Sequence, residues 1–268
     1  MSGVFALFVD GFDKNKKPKP GQLFFSRSEE IVEHTFDCLC KNDTPDIVLI
    51  SGDLTYNGER TSHDEMKAAL KKLQQKGKRV YVITATHDYT SPRMPTYGID
   101  KNDKYIEVES VKRTQLLKYY GDFGYNNAIA KHKSTMSYVA QLADGYRLFA
   151  LNDDYGDPDC GFSDELMNWV KTEANNAKRD GQYIIAMTHH PLVPPSPIYA
   201  AVAKGDMLSE YELRRKQLSD LGFDFVLTGH THMHNISYCK IGNKKFYDIS
   251  TAALTGFPPY YRQIVLNK

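Results

Sequence analysis

Short unbroken apolar runs alternate along this chain with stretches whose apolar residues recur every three or four positions. Val4-Phe5-Ala6-Leu7-Phe8-Val9 predicts a buried strand ending at Asp10-Gly11, and Ile47-Val48-Leu49-Ile50 predicts a second. Between them, Ser26 with Glu29 reads as a capping box opening a helix with Ile31, Thr35, Cys38 and Leu39 on one face. Ser62 with Glu65 opens another, carrying Met66, Ala69, Leu70 and Leu73 up to Gly77, after which Val80 to Ile83 form the third strand. This is βαβαβ order, and near-continuous apolar strands between amphipathic helices predict parallel pairing with both faces covered.

The rhythm then breaks. Residues 89–135, with Pro92, Pro95 and Gly98, read as an excursion above the sheet edge, with a helix from about Val108 to Tyr120. Ser137 to Leu142 and Tyr146 to Leu151 flank Asp144-Gly145, a hairpin dipeptide. A helix from Ser163 to about Lys178 and a strand from Tyr183 to Met187 follow. Next come a proline-rich loop to Pro197, a helix from about Leu208 to Leu221 and the strand Phe225 to Leu227. Asn235 to Cys239 and Lys245 to Ile249 pair as antiparallel strands. No linker divides the chain, so residues 1–268 are expected to form one domain.

Composition narrows the function classes. With 34 basic and 33 acidic side chains the net charge is +1, which provides no nucleic-acid footprint and no attraction to anionic membranes. Cys38, Cys40, Cys160 and Cys239 are too few and scattered for a disulfide framework, pointing to a reducing, cytoplasmic setting. Val4 to Val9 lacks a basic flank and a cleavage site and is too short to span a bilayer. Lys14, Lys16, Lys17 and Lys19 read as a solvated loop, Trp169 as core, and Arg262 as a surface arginine. Nothing in the sequence sets the oligomeric state.

The chemistry lies where the strands end. Asp53, His87-Asp88, His189-His190 and the pair His230-x-His232 each follow an apolar run, and ligands of open α/β sheets bind beyond the carboxyl ends of the strands. A lone His-x-His pair is as often a hydrogen-bonding pair as a metal site, and a lone His-Asp is usually a loop ion pair. Four such blocks on one sheet edge point instead to a metal centre. Gly229 is expected to make the sharp turn that presents His230 and His232.

Gly52-Asp53, His87-Asp88, His189-His190-Pro191 and Gly229-His230-Thr231-His232 resemble, in order and spacing, the motif blocks of the calcineurin-like metallophosphoesterase family. The resemblance implies a four-layer α-β-β-α sandwich with mixed sheets and one or two divalent ions, Mn, Fe or Zn. Asp53 would bridge two ions, His189 and His230 would bind one and His232 the other. His87 would contact the phosphoryl group or protonate the leaving group, with Asp88 orienting it. The His-x-Pro spacing favours His189 as the ligand, with His190 a neighbour toward the core.

Two departures from the family pattern stand out. No Asp-x-His block precedes Gly52-Asp53: either Val4 to Val9 is the first strand and Asp10 is a further candidate ligand, or that strand is absent and Leu7 to Phe12 is loop. Thr86 also stands where the family has a ligating asparagine. The resemblance therefore leads to metal-dependent hydrolysis of a phosphate monoester or diester by a metal-activated water. The alternatives are a degenerate scaffold acting as a binding or interaction protein, and an N-terminally incomplete form of an active enzyme. Tyr97, Tyr105, Tyr119, Tyr120 and Tyr125 of the excursion read as core or lid.

Overall fold

The computed structural model describes residues 2–7, 27–42, 45–92, 94–99, 102, 104–154 and 159–267. Asp10, Phe12, Ser26 and the lysines at 14–19 lie outside them. The elements run β1 (Ser2–Leu7), α1 (Ser28–Lys41), β2 (Ile47–Ser51), α2 (Arg60–Gln75), β3 (Arg79–Ile83), β4 (Gly98–Ile99), β5 (Tyr105–Ile106), α3 (Leu116–Tyr120) and β6 (Ala130–His132). They continue with β7 (Ser137–Ala143), β8 (Tyr146–Ala150), α4 (Asp164–Arg179), β9 (Tyr183–Met187), α5 (Pro197–Val202), α6 (Tyr211–Asp220), β10 (Phe225–Thr228), β11 (Asn235–Ile241), β12 (Lys244–Ser250) and β13 (Arg262–Leu266).

Two mixed sheets pack face to face. One has the order β13-β1-β2-β3 and the other β11-β12-β10-β9-β8-β7-β6. In the first, β1, β2 and β3 are parallel, with Val4 opposite Ile47 and Leu7 opposite Ile50, and β13 closes the edge antiparallel to β1. A first strand therefore does stand beside β2, which removes the alternative in which it is absent. In the second, β8, β9, β10 and β12 are parallel and the outer strands antiparallel.

Strand alternation distributes the core between layers. Tyr138, Ala140, Leu148, Ala150, Ile185, Met187 and Leu227 join the core of the first sheet and its helices. Their neighbours Val139, Phe149, Ala186 and Val226 pack on Leu166, Val170 and Ala174 of α4 and Leu218 of α6. That period of two, with helices outside both sheets, is the four-layer α-β-β-α sandwich. Polar bonds also pin sheet to sheet. Tyr138 Oη donates to the Val82 carbonyl at 3.0 Å, Arg79 Nη1 to the Leu142 carbonyl at 2.7 Å, and Thr84 N to Asn152 Oδ1 at 2.9 Å.

Several sequence expectations shift. The buried side of α1 is Val32, Phe36 and Leu39, while Cys38 is exposed, so the face is rotated from the expected one. Phe36 has the larger area to remove from water and sets the rotation. α2 begins at Arg60, leaving Ser62 buried inside its first turn rather than capping it. The helix expected over 108–120 shrinks to a 3-10 turn, Arg113–Gln115, and α3. Backbone bonds from Arg60 N to the Glu109 carbonyl (2.9 Å) and from Val111 N to the Gly58 carbonyl (2.8 Å) hold residues 109–111 extended.

α6 starts at Tyr211, after Glu210 in a left-handed conformation, and β6, α5 and β13 are additions. Tyr119, Tyr120 and Tyr125 are core, whereas Tyr105 is 62% exposed. Arg262 is half-buried in β13, donating to the Ser250 carbonyl at 3.0 Å. No helix among the described residues is long and apolar enough to cross a membrane.

The rotated α1 face is directly testable. Phe36→Ala should lower stability by about 3–5 kcal/mol, as truncation of a buried phenylalanine does, and Cys38→Ala should stay within about 0.5 kcal/mol. Equilibrium urea unfolding reads both, and equal losses would reject the assignment.

Candidate metal centre

The C-terminal ends of β2, β3, β8, β9 and β10 converge, bringing polar residues from both sheets to one edge. At the end of β2 the chain passes through Gly52, with φ +92°, into Asp53, with φ +49°. A Cβ at Gly52 would stand 2.7 Å from Ala85 Cβ and 3.0 Å from His189 Nδ1, so only glycine lets the strands close around the imidazole. His230 and His232 are also left-handed, with φ +56° and +57°; they make the turn expected of Gly229. Non-glycine residues hold this conformation uncommonly, at about 1–3 kcal/mol each, and three of them fall at these strand ends.

His189 is the centre of the arrangement. Its Nδ1 donates to the Ser51 carbonyl at 2.8 Å, which turns Nε2 toward Asp53 Oδ2 and His230 Nδ1, both at 3.1 Å. Among the described residues the ligand atoms of His189, His190 and His230 lie within 4.8 Å of one another, and Asp53 joins them through His189. His190, expected toward the core, is buried but belongs to this group. His232, half-buried two residues beyond His230, stands outside it, and Asp10 lies outside the described residues.

His87 is partly exposed in a 3-10 turn after β3. Its N–H donates to Asp53 Oδ1 at 3.1 Å and its Nδ1 to the Tyr56 carbonyl at 2.5 Å. The Asp88 carboxylate reaches backbone rather than the His87 ring, accepting from Thr55 N and Ala85 N at 2.9 Å each. Asp88 therefore shapes the turn, and Tyr56 orients the imidazole. From α2, His63 fixes the same turn from behind, pairing Nε2 with the Asp88 carbonyl at 3.0 Å and Nδ1 with Tyr120 Oη at 2.6 Å.

Sequence reasoning passed over Asp153. This wholly buried carboxylate takes Thr188 Oγ1 at 2.7 Å, His189 N at 3.1 Å and His190 N at 2.7 Å on Oδ2, with His190 Nδ1 3.2 Å from Oδ1. The run Asn152-Asp153-Asp154 follows β8 as the other polar blocks follow their strands, and that was the available signal.

Charge is concentrated here. Burial would raise the Asp53 carboxyl, but the imidazoles of His189, His87 and His230 hold it well below the usual range. Burial would lower His189, but the Asp53 charge and hydrogen bond hold it up, at about 10. His230 is pushed well below its usual value by burial and by its neighbouring imidazoles, which keeps it neutral. Burial and the Asp53 charge lift Asp88 to about 7. A buried anion ringed by imidazoles with one nitrogen tied back to a carbonyl or carboxylate is a donor set that fits a divalent cation.

A four-layer sandwich with Asp and His side chains gathered at its strand ends is the fold of the metallophosphoesterase class. The calcineurin-like phosphoesterase family model matches residues 25–234, and the chain belongs to that family. A dimetal phosphatase from Danio rerio superposes with a TM-score of 0.67 at 11% identity, over 99% of this chain and 92% of that one. The purple acid phosphatase PPD1 of yellow lupin (Lupinus luteus) seeds gives 0.59 at 16% identity, over 90% of this chain and 39% of that one. At these identities both likenesses concern the fold. Curated protein sequences provide no match. Membership of the family implies divalent metal ions.

Asp153→Asn should weaken divalent-ion binding about tenfold to a hundredfold, because partners that orient ligands contribute on that scale. Calorimetric titration with Mn or Zn measures it, and unchanged affinity would show that Asp153 serves packing alone.

Proposed function

We propose that the chain hydrolyses a phosphate monoester or diester with one or two divalent ions, Mn, Fe or Zn, held at the strand ends. The observation that carries this reading is the approach of His189 Nε2 to both Asp53 Oδ2 and His230 Nδ1, 3.1 Å each, in a chain of the calcineurin-like phosphoesterase family. Bound ions of this kind activate a water and neutralise phosphoryl oxygens in an in-line displacement. Asp53, with two carboxylate oxygens, would be shared between two ions; His189 and His230 would hold one and His232 the other. His190 is a further candidate from the same group, and Asp10 is a further candidate for the ion of His232.

Each remaining residue has a positional task. Donation from His87 Nδ1 to the Tyr56 carbonyl leaves Nε2 to contact the phosphoryl group or to hand a proton to the departing oxygen. The bond from His87 N to Asp53 Oδ1 fixes the backbone of that residue relative to the Asp53 carboxylate. Asp88 acts on His87 through the turn backbone. Thr86 lines the cleft beside His190 and His230, at the place where the family pattern has asparagine.

Asp53→Ala should abolish both metal content and hydrolysis of an aryl phosphodiester. His87→Ala should retain metal and lose about a hundredfold to ten-thousandfold in turnover. Elemental analysis and a chromogenic assay read the two effects, and unaltered turnover in His87→Ala would remove its assigned role. Chelation should stop hydrolysis and Mn or Zn restore it; a metal-bound chain without turnover would identify a binding scaffold instead. Thr86→Asn should tighten metal binding, measured by titration, if the family alignment holds at that position.

A further inference from the structure

His63 is a buried histidine to which the metal centre gives no task. It lies near the start of α2, wholly shielded from solvent, and burial holds its ring at about 4, so the imidazole is neutral at neutral pH. A carbonyl can only accept, so the 3.0 Å contact with the Asp88 carbonyl places the proton on Nε2 and leaves Nδ1 to accept from Tyr120 Oη at 2.6 Å. The tautomer is thus set from both sides.

Tyr120 is the last residue of α3 and is itself buried. The chain of bonds from its hydroxyl through His63 to Asp88 therefore runs from the excursion to the turn that carries His87. The other bonds that hold this turn come from one loop or from the turn itself. Asp53 Oδ1 accepts from His87 N, Thr55 N reaches Asp88 Oδ1, Thr55 Oγ1 reaches the His87 carbonyl, and the Tyr56 carbonyl takes the His87 ring. Ala85 N donates to Asp88 Oδ2 within the turn. Among the described residues, the bond from His63 is the one that ties residues 87 and 88 to the helices outside the sheet.

Without that bond a buried carbonyl is left unpaired and the turn is free to tilt on the loop over residues 53–56. A displacement of about 1 Å at a reacting group costs on the order of a hundredfold in rate.

We infer that His63, its tautomer set by Tyr120, is a positioning residue for hydrolysis: it holds the turn at Asp88 so that the His87 ring meets the phosphate ester, and it acts only through His87. The inference rests on the phosphoesterase reading and deepens it by giving α2 and α3 a task in turnover.

The test is a double-mutant cycle on the metal-loaded chain, with bis(para-nitrophenyl) phosphate as the substrate. His63→Leu should lower kcat about tenfold to a hundredfold with KM and metal content unchanged. His63→Gln, whose amide still donates, should recover part of the loss, and Tyr120→Phe should lower kcat in the same direction by less. On the His87→Ala background His63→Leu should cost nothing further, because a residue that works through His87 has nothing left to place. Equal losses on the two backgrounds, or wild-type kcat in His63→Leu, would overturn the inference. Where His63→Leu does not fold, the same cycle run with Tyr120→Phe decides it by the same two criteria. A metal-loaded wild-type chain without turnover would instead overturn the phosphoesterase reading, and the inference with it.

Discussion

The hydrogen bond from His189 Nδ1 to the Ser51 carbonyl, 2.8 Å long, is the contact on which the site depends. His189 follows β9 of the seven-stranded sheet and Ser51 is the last residue of β2 in the four-stranded one, so one imidazole joins the two sheets where their strands end. Donating from Nδ1 commits Nε2 to the space shared by Asp53 and His230. Gly52 is confined to glycine because a side chain there would displace this ring. Asp153 holds the backbone N–H of the same residue from the opposite side. The inter-sheet bonds of Tyr138, Thr84 and Arg79 keep the sheets at the separation this contact requires.

That arrangement concentrates buried charge. Asp53 and Asp153 stay ionised despite burial because imidazoles face them, and Asp153 also receives backbone N–H groups. Asp88 and Asp248 are lifted by burial, Asp248 to about 6 against the hydrogen bonds of Thr228, Val193 and Leu192. Unpaired charge in so dry a setting would cost several kcal/mol per ion. The left-handed backbone at Asp53, His230 and His232 adds strain. The cores on either side of the seven-stranded sheet offset these costs, since large side chains such as Tyr138, Phe149 and Phe162 are wholly removed from water.

Much of this was legible in the sequence for a physical reason. Buried parallel strands are unbroken apolar runs, and whatever follows them lies at the sheet edge, so Asp53, His87, His189 and His230 declared their position by what preceded them. The α1 face was not legible. Ile31, Thr35, Cys38 and Leu39 share a helical spacing as good as that of Val32, Phe36 and Leu39, and packing against the sheet chose the set with the phenylalanine. Nor could Ser51 and Tyr56 be foreseen as partners, because they act through main-chain carbonyls that every residue type possesses. Asp153 was hidden differently: β8 reads from sequence as the second strand of the hairpin at Asp144-Gly145, and its parallel pairing with β9 is what makes its end part of the same edge as His189.

The division of labour between His87 and Asp88 shows how position separates adjacent residues. Asp88 is fully buried and spends its carboxylate on the N–H groups of Ala85 and Thr55, while His63 takes its carbonyl. The turn is thus clamped from inside by groups that never meet solvent. His87, one residue earlier, faces outward with its ring on the Tyr56 carbonyl and its N–H on Asp53. Displacing the ring means breaking its bond to the Tyr56 carbonyl, and displacing the backbone that carries it means breaking the bond to Asp53 or releasing the Asp88 clamp. The seating of His87 is thus shared: the Tyr56 carbonyl orients the imidazole, and the buried Asp88 holds the backbone from which it springs.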